Sequence, residues 1–225
     1  LKAVTLSLKY EAYKLFSADE DWSELNLYNT EPEKVTDFVV DASDIPSSLK
    51  KAVTVTLTGE WDSDAFNLLS MALGNNGGLF VTTNATLVTL DMSRIKVAEN
   101  TPLWRQGLKE YGIFNNCTAL EKVIMPTAEE AGHFTKLNKA FEGCTALRDI
   151  DLSLLTGATD IEAAFKGTAI EKADLSGCTS LGSTVSAFEG CAALQEVILP
   201  SCFVPANYTF ADCTGLKLID YTAYT

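Results

Sequence analysis

The feature that most constrains this chain is a phrase that recurs with its apolar letters fixed and its polar letters free. It occurs as FNNCTALEKVIMP at 114–126, as FEGCTALRDIDLS at 141–153 and as FEGCAALQEVILP at 188–200. A catalytic residue is needed once per site, whereas a structural unit is written again for every copy, so the recurrence indicates architecture before chemistry. The chain is therefore predicted to consist of stacked units.

Phenylalanine sets the period of the recurrence. It stands at Phe114, Phe141, Phe165, Phe188 and Phe210, in steps of 27, 24, 23 and 22 residues. Three positions later come Cys117, Cys144, Thr168, Cys191 and Cys213. A further copy that lacks both landmarks, NATLVTLDMS, occupies 84–93 and brings the number of units to six. Because stacking places equivalent residues side by side, we expect the rings to form a buried column and the thiols to join the core.

Each unit also carries a spaced apolar trio of the form L-x-x-L-x-L, as in Leu147, Ile150 and Leu152. The last two members alternate with polar neighbours at period two, which is typical of a short strand with one buried face. One such strand cannot bury that face alone, whereas copies stacked about 4.8 Å apart can do so as a parallel sheet. The segments between strands vary in length, and we expect them to return along the opposite side.

The units AFEGCTALRDIDLS and AFEGCAALQEVILP resemble the BspA-type leucine-rich repeat family, whose units read A-F-x-x-C-x-x-L-x-x-I-x-L-P. The resemblance implies an α/β-type solenoid: a leucine-rich repeat with a parallel sheet of short strands on one face, irregular or short helical segments on the other, and an N-terminal extension or cap. It also implies a secreted or cell-surface bacterial protein that binds a protein or glycan ligand without catalysis. A structural spacer within a larger surface protein is the alternative.

The chain is predicted to have three parts. Residues 1–50 are an N-terminal extension or the end of a preceding domain, with strands at 4–10 and 34–40, and are too short to hold much of a core alone. Residues 51–83 resemble the strand and helix that close the open end of such solenoids, and residues 84–225 hold about six repeats. We expect Trp61, Phe66, Leu68 and Leu69 to form the N-terminal cap, and Tyr221 and Tyr224 to cover the other end.

Charge and hydropathy exclude two classes of partner. The chain has 30 acidic and 17 basic residues, a net charge of -13, so nucleic acid and anionic lipid are repelled at long range. No apolar run approaches the roughly 20 residues of a membrane helix, and we predict no membrane span. The chain starts at Leu1, and we expect any export signal or lipid anchor to lie outside it.

The six cysteines lack the short spacings of a zinc site, and four of them share one slot of the repeat. Stacking would bring Cys117 near Cys144, and Cys191 near Cys213, within reach of a disulfide. Equivalent side chains in adjacent units point in parallel, however, and Thr168 fills the same slot without needing a partner. We therefore predict free buried thiols. The slot does not include Cys178 and Cys202, whose redox state stays open.

Catalytic groups are scarce in the sequence. The single histidine, His133, has no serine or cysteine nucleophile motif nearby. The glycines of GNNGG at 74–78 lack the Lys-Ser/Thr of a phosphate loop and fit the end of a helix better. We predict a protein that is not an enzyme and holds no cofactor. A hydrolase with paired carboxylates is the remote alternative.

The candidate binding residues flank the middle member of each trio, where alternation along a strand turns side chains away from the core. They are Thr89, Asp91, Lys122, Ile124, Asp149, Asp151, Lys172, Asp174, Glu196, Ile198, Leu218 and Asp220, of which six are acidic and two are basic. This composition predicts a negative stripe that attracts a basic protein segment, although a plain solvated surface explains it equally well. Asp149, Asp151 and Asp174 are a weaker candidate for a Ca²⁺ site.

Overall fold

The structure is a computed structural model, and it describes residues 37–74, 85–105 and 111–222. Its strands are β1 (Asp37–Asp41), β2 (Thr54–Trp61), β3 (Thr89–Val97), β4 (Trp104–Arg105), β5 (Tyr111–Gly112), β6 (Lys122–Ile124), β7 (Lys172–Asp174), β8 (Glu196–Ile198) and β9 (Leu218–Asp220). Its α-helices are α1 (Ser63–Ala72) and α2 (Ala128–Ala131), and a 3-10 helix spans Leu152–Leu154. No helix in these described ranges is long and apolar enough to cross a membrane.

Parallel pairing dominates the sheets. One sheet has the order β1-β2-β3-β6 and another has the order β7-β8-β9, and all neighbours in both are parallel. A short antiparallel pair joins β4 to β5. Equivalent residues of successive units are direct partners, as Lys172 is to Glu196 and Glu196 is to Leu218. The predicted parallel-sheet solenoid is therefore confirmed.

The strand predicted at 34–40 is present as β1, whereas the strand predicted at 4–10 lies outside the described residues, as does Tyr224. Because β1 pairs with β2, part of the predicted N-terminal extension belongs to the same sheet as the predicted cap. The boundaries proposed at residues 50 and 83 stay predictions.

The unit around Asp149 interrupts the ladder. A strand is expected there, but Asp149 makes only an isolated parallel bridge to Lys122. A 3-10 helix follows at once, and the side chain of its N-cap, Asp151, accepts a hydrogen bond from the Ser153 N–H. The prediction of one strand per unit is wrong at this point, because a capped helical turn takes the backbone out of the extended conformation.

The returning segments are more ordered than the sequence indicates. Asp160 forms parallel bridges with Lys136 on one side and Ser183 on the other. The Leu137 N–H donates to the Asp160 carbonyl at 2.8 Å, and the Ile161 N–H donates to the Ser183 carbonyl at 3.0 Å. Successive units are thus hydrogen-bonded on the returning side as well as through the sheet.

The five repeat phenylalanines stack along the interior. Successive ring centroids from Phe114 to Phe210 are 5.3, 5.8, 5.4 and 5.7 Å apart, with planes inclined by 10° to 14°. The first four rings are buried, whereas Phe210 is only partly buried. No described unit lies beyond Phe210, so the expectation of five fully buried rings is wrong for the last one.

A tight turn follows each ring. The residue two positions after the phenylalanine has a positive φ in every unit: Asn116, Gly143, Gly167, Gly190 and Asp212, with values of 57°, 74°, 72°, 75° and 57°. Glycine, asparagine and aspartate adopt this left-handed conformation at the lowest cost, which explains why only these three types occupy the position. The turns also stack, since the Gly143 N–H donates to the Lys166 carbonyl at 2.8 Å.

The N-terminal side of the solenoid is covered by α1. Its phenylalanine, Phe66, packs against Trp61 and Phe134, with ring centroids 5.0 and 5.8 Å away. Leu69 is also buried, but Leu68 is 50% exposed. The expectation that Leu68 contributes to the cap is wrong, because it lies on the side of the helix opposite the buried residues.

The last described unit leaves its apolar residues accessible. Leu218 is 52% exposed, Ile219 is 37% exposed and Tyr221 is 62% exposed. Ile219 is the middle member of the final trio and was expected in the core. Tyr221 was expected to cover this end and does not do so. Both differences have one cause, since burial of a trio requires a neighbouring unit on each side.

All six cysteines are free. Free thiols were predicted for the four cysteines of the repeat slot, of which Cys213 is half-buried rather than buried, while the state of Cys178 and Cys202 was left open. Three thiols of the repeat slot donate to the phenylalanine carbonyl of the preceding unit: Cys144 to Phe114, Cys191 to Phe165 and Cys213 to Phe188, at 3.0 to 3.1 Å. Burial raises the pKa of Cys117 to about 12, so its thiol stays neutral. The thiols of Cys144, Cys191 and Cys213 are thus small donors that link each of these units to the one before it.

Candidate functional site on the outer face of the sheet

The outer face consists of two rows of side chains that flank the middle member of each trio. The first row contains Thr89, Lys122, Asp149, Lys172, Glu196 and Leu218, and the second row contains Asp91, Ile124, Asp151, Asp174, Ile198 and Asp220. All twelve are exposed or half-buried, while Leu90, Val123, Ala173 and Val197 between them are buried. The strand pairing aligns each row across neighbouring units.

The charges of the first row are paired within the protein. Lys122 Nζ lies 2.6 Å from Asp149 Oδ2, and Lys172 Nζ lies 2.9 Å from Glu196 Oε1. The hydrogen bond that Lys172 donates to Glu196 raises the pKa of Lys172. Exposed pairs of this kind contribute about 0–1 kcal/mol to stability. Four of the predicted binding residues therefore already have partners of opposite charge.

The carboxylates of the second row are held by the backbone. Each Oδ1 accepts a hydrogen bond from the N–H two residues later: Asp91 from Ser93, Asp151 from Ser153, Asp174 from Ser176 and Asp220 from Thr222, at 2.9 to 3.0 Å. The bonds from Thr222 lower the pKa of Asp220, since they stabilise the charged form. Within the described part of the chain, none of these four carboxylates forms an ion pair. The unpaired negative charge of the face is therefore in the second row.

A sequence signal for this row exists and was missed. An aspartate with Ser or Thr two positions later occurs in DMS at 91–93, DLS at 151–153, DLS at 174–176 and DYT at 220–222, whereas the other units have IMP at 124–126 and ILP at 198–200. The pattern is typical of an Asx turn, in which the side chain accepts from the backbone two residues on. It also occurs in β1, where Asp41 Oδ1 accepts from the N–H and hydroxyl of Ser43.

The geometry offers no support for the calcium hypothesis. Within the described ranges, no three His, Cys, Asp or Glu side chains are placed to hold a metal ion. Asp149 is paired with Lys122, while Asp151 and Asp174 each accept from a serine hydroxyl at 2.6 Å. The three carboxylates are thus committed to separate local partners rather than to a common centre.

The sole histidine has a local structural role. His133 Nδ1 lies 2.7 Å from the Val97 carbonyl oxygen, and Glu130 Oε2 accepts a hydrogen bond from the Val97 N–H at 2.6 Å. Together these contacts fasten the segment of α2 to the end of β3. The histidine ring is therefore used in joining two elements of the scaffold.

The repeat units match the model of a known family. The model of the BspA type leucine rich repeat region, in six copies, matches residues 110–224. A leucine-rich repeat protein from Bacteroides ovatus, solved as a crystal structure, aligns with 18% identity and a TM-score of 0.39 over 86% of this chain. The chain spans 51% of the length of that protein. No curated protein matches the chain.

The matched range covers just over half of the chain and includes every unit with a phenylalanine landmark. The copy at 84–93 precedes the match, although β3 extends the same parallel ladder and pairs directly with β6. Together, the repeat motif, the stacked phenylalanines and the parallel strands have one explanation: the chain belongs to the BspA-type leucine-rich repeat family.

Proposed function

We propose that the chain is a non-catalytic binding module of a secreted or cell-surface bacterial protein, and that its outer face binds a protein partner through a basic segment. The second-row carboxylates carry this proposal. Asp151 and Asp174 each have one oxygen held by an Asx turn and form no ion pair in the described structure, although Lys172 is near enough to Asp174 for their charges to interact. Family membership supports a repeat module, and such modules present repeated side chains to a ligand on one surface.

Electrostatics determine which partner suits the face. A chain with a net charge of -13 attracts basic surfaces and repels acidic ones, and the attraction weakens as salt screens it. Ile124 and Ile198 lie in the same row as the aspartates and are half-buried, so they offer apolar contact between the charges. A segment that combines lysine or arginine with apolar side chains would match both features.

Neutralising two of the second-row carboxylates tests the proposal. The Asp151→Asn and Asp174→Asn double variant keeps the oxygen that accepts from each serine but removes two negative charges. Binding of a fluorescent peptide of alternating lysine and leucine would be followed by anisotropy at low and high salt. Exposed ion pairs are worth about 0.2–1 kcal/mol each, so we expect the affinity at low salt to fall roughly two- to thirtyfold.

The control removes the same charge elsewhere. Glu99 and Glu129 are exposed, lie outside the two rows and form no ion pair in the described structure, so the Glu99→Gln and Glu129→Gln double variant matches the change in net charge. Asp149 is left unchanged because its loss would free Lys122. Equal affinities of the two double variants would rule out the outer face as the site.

A structural spacer is the second candidate function, and one observation favours it. The first-row charges form ion pairs between adjacent units, Lys122 with Asp149 and Lys172 with Glu196, which suits a surface that stabilises the stack. A spacer predicts that the two double variants, which have the same net charge, bind the peptide with equal low affinity at each salt concentration. The peptide titration therefore separates the two functions.

A further inference from the structure

A second polar surface lies away from the outer face, along the turns that follow the phenylalanines. An open groove of about 410 Å³ is lined there by Tyr111, Asn115, Asn116, Lys139, Glu142, Gly143, Lys166 and Gly167. These residues come from three successive units, so the groove exists only because the turns stack. None of them belongs to the two rows of the outer face.

The polar groups of the groove are held in place before any ligand arrives. Asn115 is only 6% exposed, and its Nδ2 donates to Glu142 Oε2 at 3.2 Å. Asn116 Nδ2 in turn donates to Asn115 Oδ1. Two amides and a carboxylate therefore form a connected chain across two units, and the left-handed backbone of Asn116 fixes where that chain begins. Polar groups ordered in advance lose little entropy on binding.

Two glycines leave one wall of the groove without side chains at their positions. Gly143 has a φ of +74°, and a Cβ built on it would collide with the Asn116 side chain. Gly167 has a φ of +72° and has nothing within 4 Å of the position of a Cβ. The first glycine lets the asparagine lie against the turn, and the second leaves open space beside Lys166.

The charges of the groove balance, in contrast to the rest of the chain. Lys166 Nζ lies 2.9 Å from Glu189 Oε1, and the remaining charged lining residues are one lysine, Lys139, and one carboxylate, Glu142. A ligand with a full charge would meet an opposing charge here as well as a matching one. The surface suits a polar molecule without net charge.

We propose that this groove binds a neutral saccharide. A planar amide donates and accepts hydrogen bonds side by side, and a carboxylate accepts them, which together fit the adjacent hydroxyls of a sugar. Tyr111 adds an aromatic ring to the lining, and a ring of this type offers an apolar surface for the C–H face of a sugar together with a polar hydroxyl. Concave sites that combine such a surface with a few ordered polar groups are typical of small-molecule binding.

The test uses the whole chain and a small panel of sugars. Saturation-transfer NMR would be recorded with the methyl glycosides of glucose, galactose, mannose and N-acetylglucosamine, with methyl glucuronide as the charged comparison. We expect transfer to at least one neutral sugar and weaker transfer to the glucuronide. Absence of transfer to all four neutral sugars, or stronger binding of the glucuronide, would overturn the proposal.

The repeat itself supplies a variant that preserves the fold. Asn116→Gly installs the residue that three other units have at this position, so the turn is kept while the groove loses one of its two amides. The matched control is Asp212→Gly, which makes the same kind of change in a unit that does not line the groove. We expect Asn116→Gly to weaken sugar binding by at least about threefold, the loss of one hydrogen bond, and Asp212→Gly to leave it unchanged.

Two results would assign the binding elsewhere. Equal effects of Asn116→Gly and Asp212→Gly would show that the groove is not the binding site. A loss of sugar binding in the Asp151→Asn and Asp174→Asn variant would place the sugar on the outer face instead. The proposal for the groove and the proposal for the outer face can thus be refuted independently of each other.

Discussion

Removal of the ring of Phe141 tests whether the phenylalanine column holds the units together. Phe141 is 1% exposed, and its ring centroid lies 5.3 Å from that of Phe114 and 5.8 Å from that of Phe165. Truncation of a buried phenylalanine to alanine costs about 3–5 kcal/mol. The variant also loses two ring-stacking contacts, each worth about 0.5–1.5 kcal/mol. We therefore expect the loss in free energy of unfolding for Phe141→Ala to lie in the upper part of the range for truncation.

The assay is urea unfolding followed by circular dichroism, with the free energy of unfolding extrapolated to water. Phe210→Ala is the control, since Phe210 is only partly buried; its ring stacks with Phe188 in the column at 5.7 Å and with Phe203, outside the column, at 6.2 Å. We expect it to cost about half as much as Phe141→Ala. If Phe141→Ala cost no more than Phe210→Ala, the column would not be the source of cohesion and the reasoning would be refuted.

Three further predictions follow from the turns, the thiols and the ion pairs. Gly167→Ala should cost about 1 kcal/mol from left-handed strain alone, whereas Gly143→Ala should cost more because its methyl group meets a side chain of the preceding unit; equal losses in urea unfolding would contradict this. Denatured, unreduced protein should show six thiols to a thiol reagent, and a count below six would indicate disulfides. In the native protein the four buried thiols should react slowly at about pH 8, since burial raises the pKa of Cys117, for example, to about 12. The hydrogen bond from Lys166 lowers the pKa of Glu189 below its usual 4.5. The contribution of this ion pair to the free energy of unfolding is therefore fully present above pH 4.5 and is lost as the pH falls through the lowered pKa of Glu189 in the folded protein. Lys166→Ala should raise this pKa in an NMR titration, and an unmoved pKa would mean that the pair does not form in solution.

The sequence alone determined the period of the structure and the composition of its core. Phe114 and Phe141 are recognisable as equivalent because both precede the same apolar trio, and equivalent positions become neighbours in any stack. The same logic predicted the parallel sheet and the free thiols. The burial of a side chain against the equivalent residue of the next unit follows from the repeat pattern, so it can be predicted from the sequence without any interatomic distance.

Tertiary structure decided what the exposed groups do. Lys122 and Asp149 are 27 residues apart and pair only because one parallel bridge brings their units into register. Asp151 occupies a position where the alternation of apolar residues predicts a strand, but in the structure it caps a 3-10 helix. The groove residues Asn116 and Lys166 are contributed by units that are not even adjacent, and they share a surface only through the stacking of turns. Core positions follow from the repeat period because stacked units bury equivalent side chains wherever a neighbouring unit covers them. Surface partners depend instead on the register between units, which backbone hydrogen bonds determine.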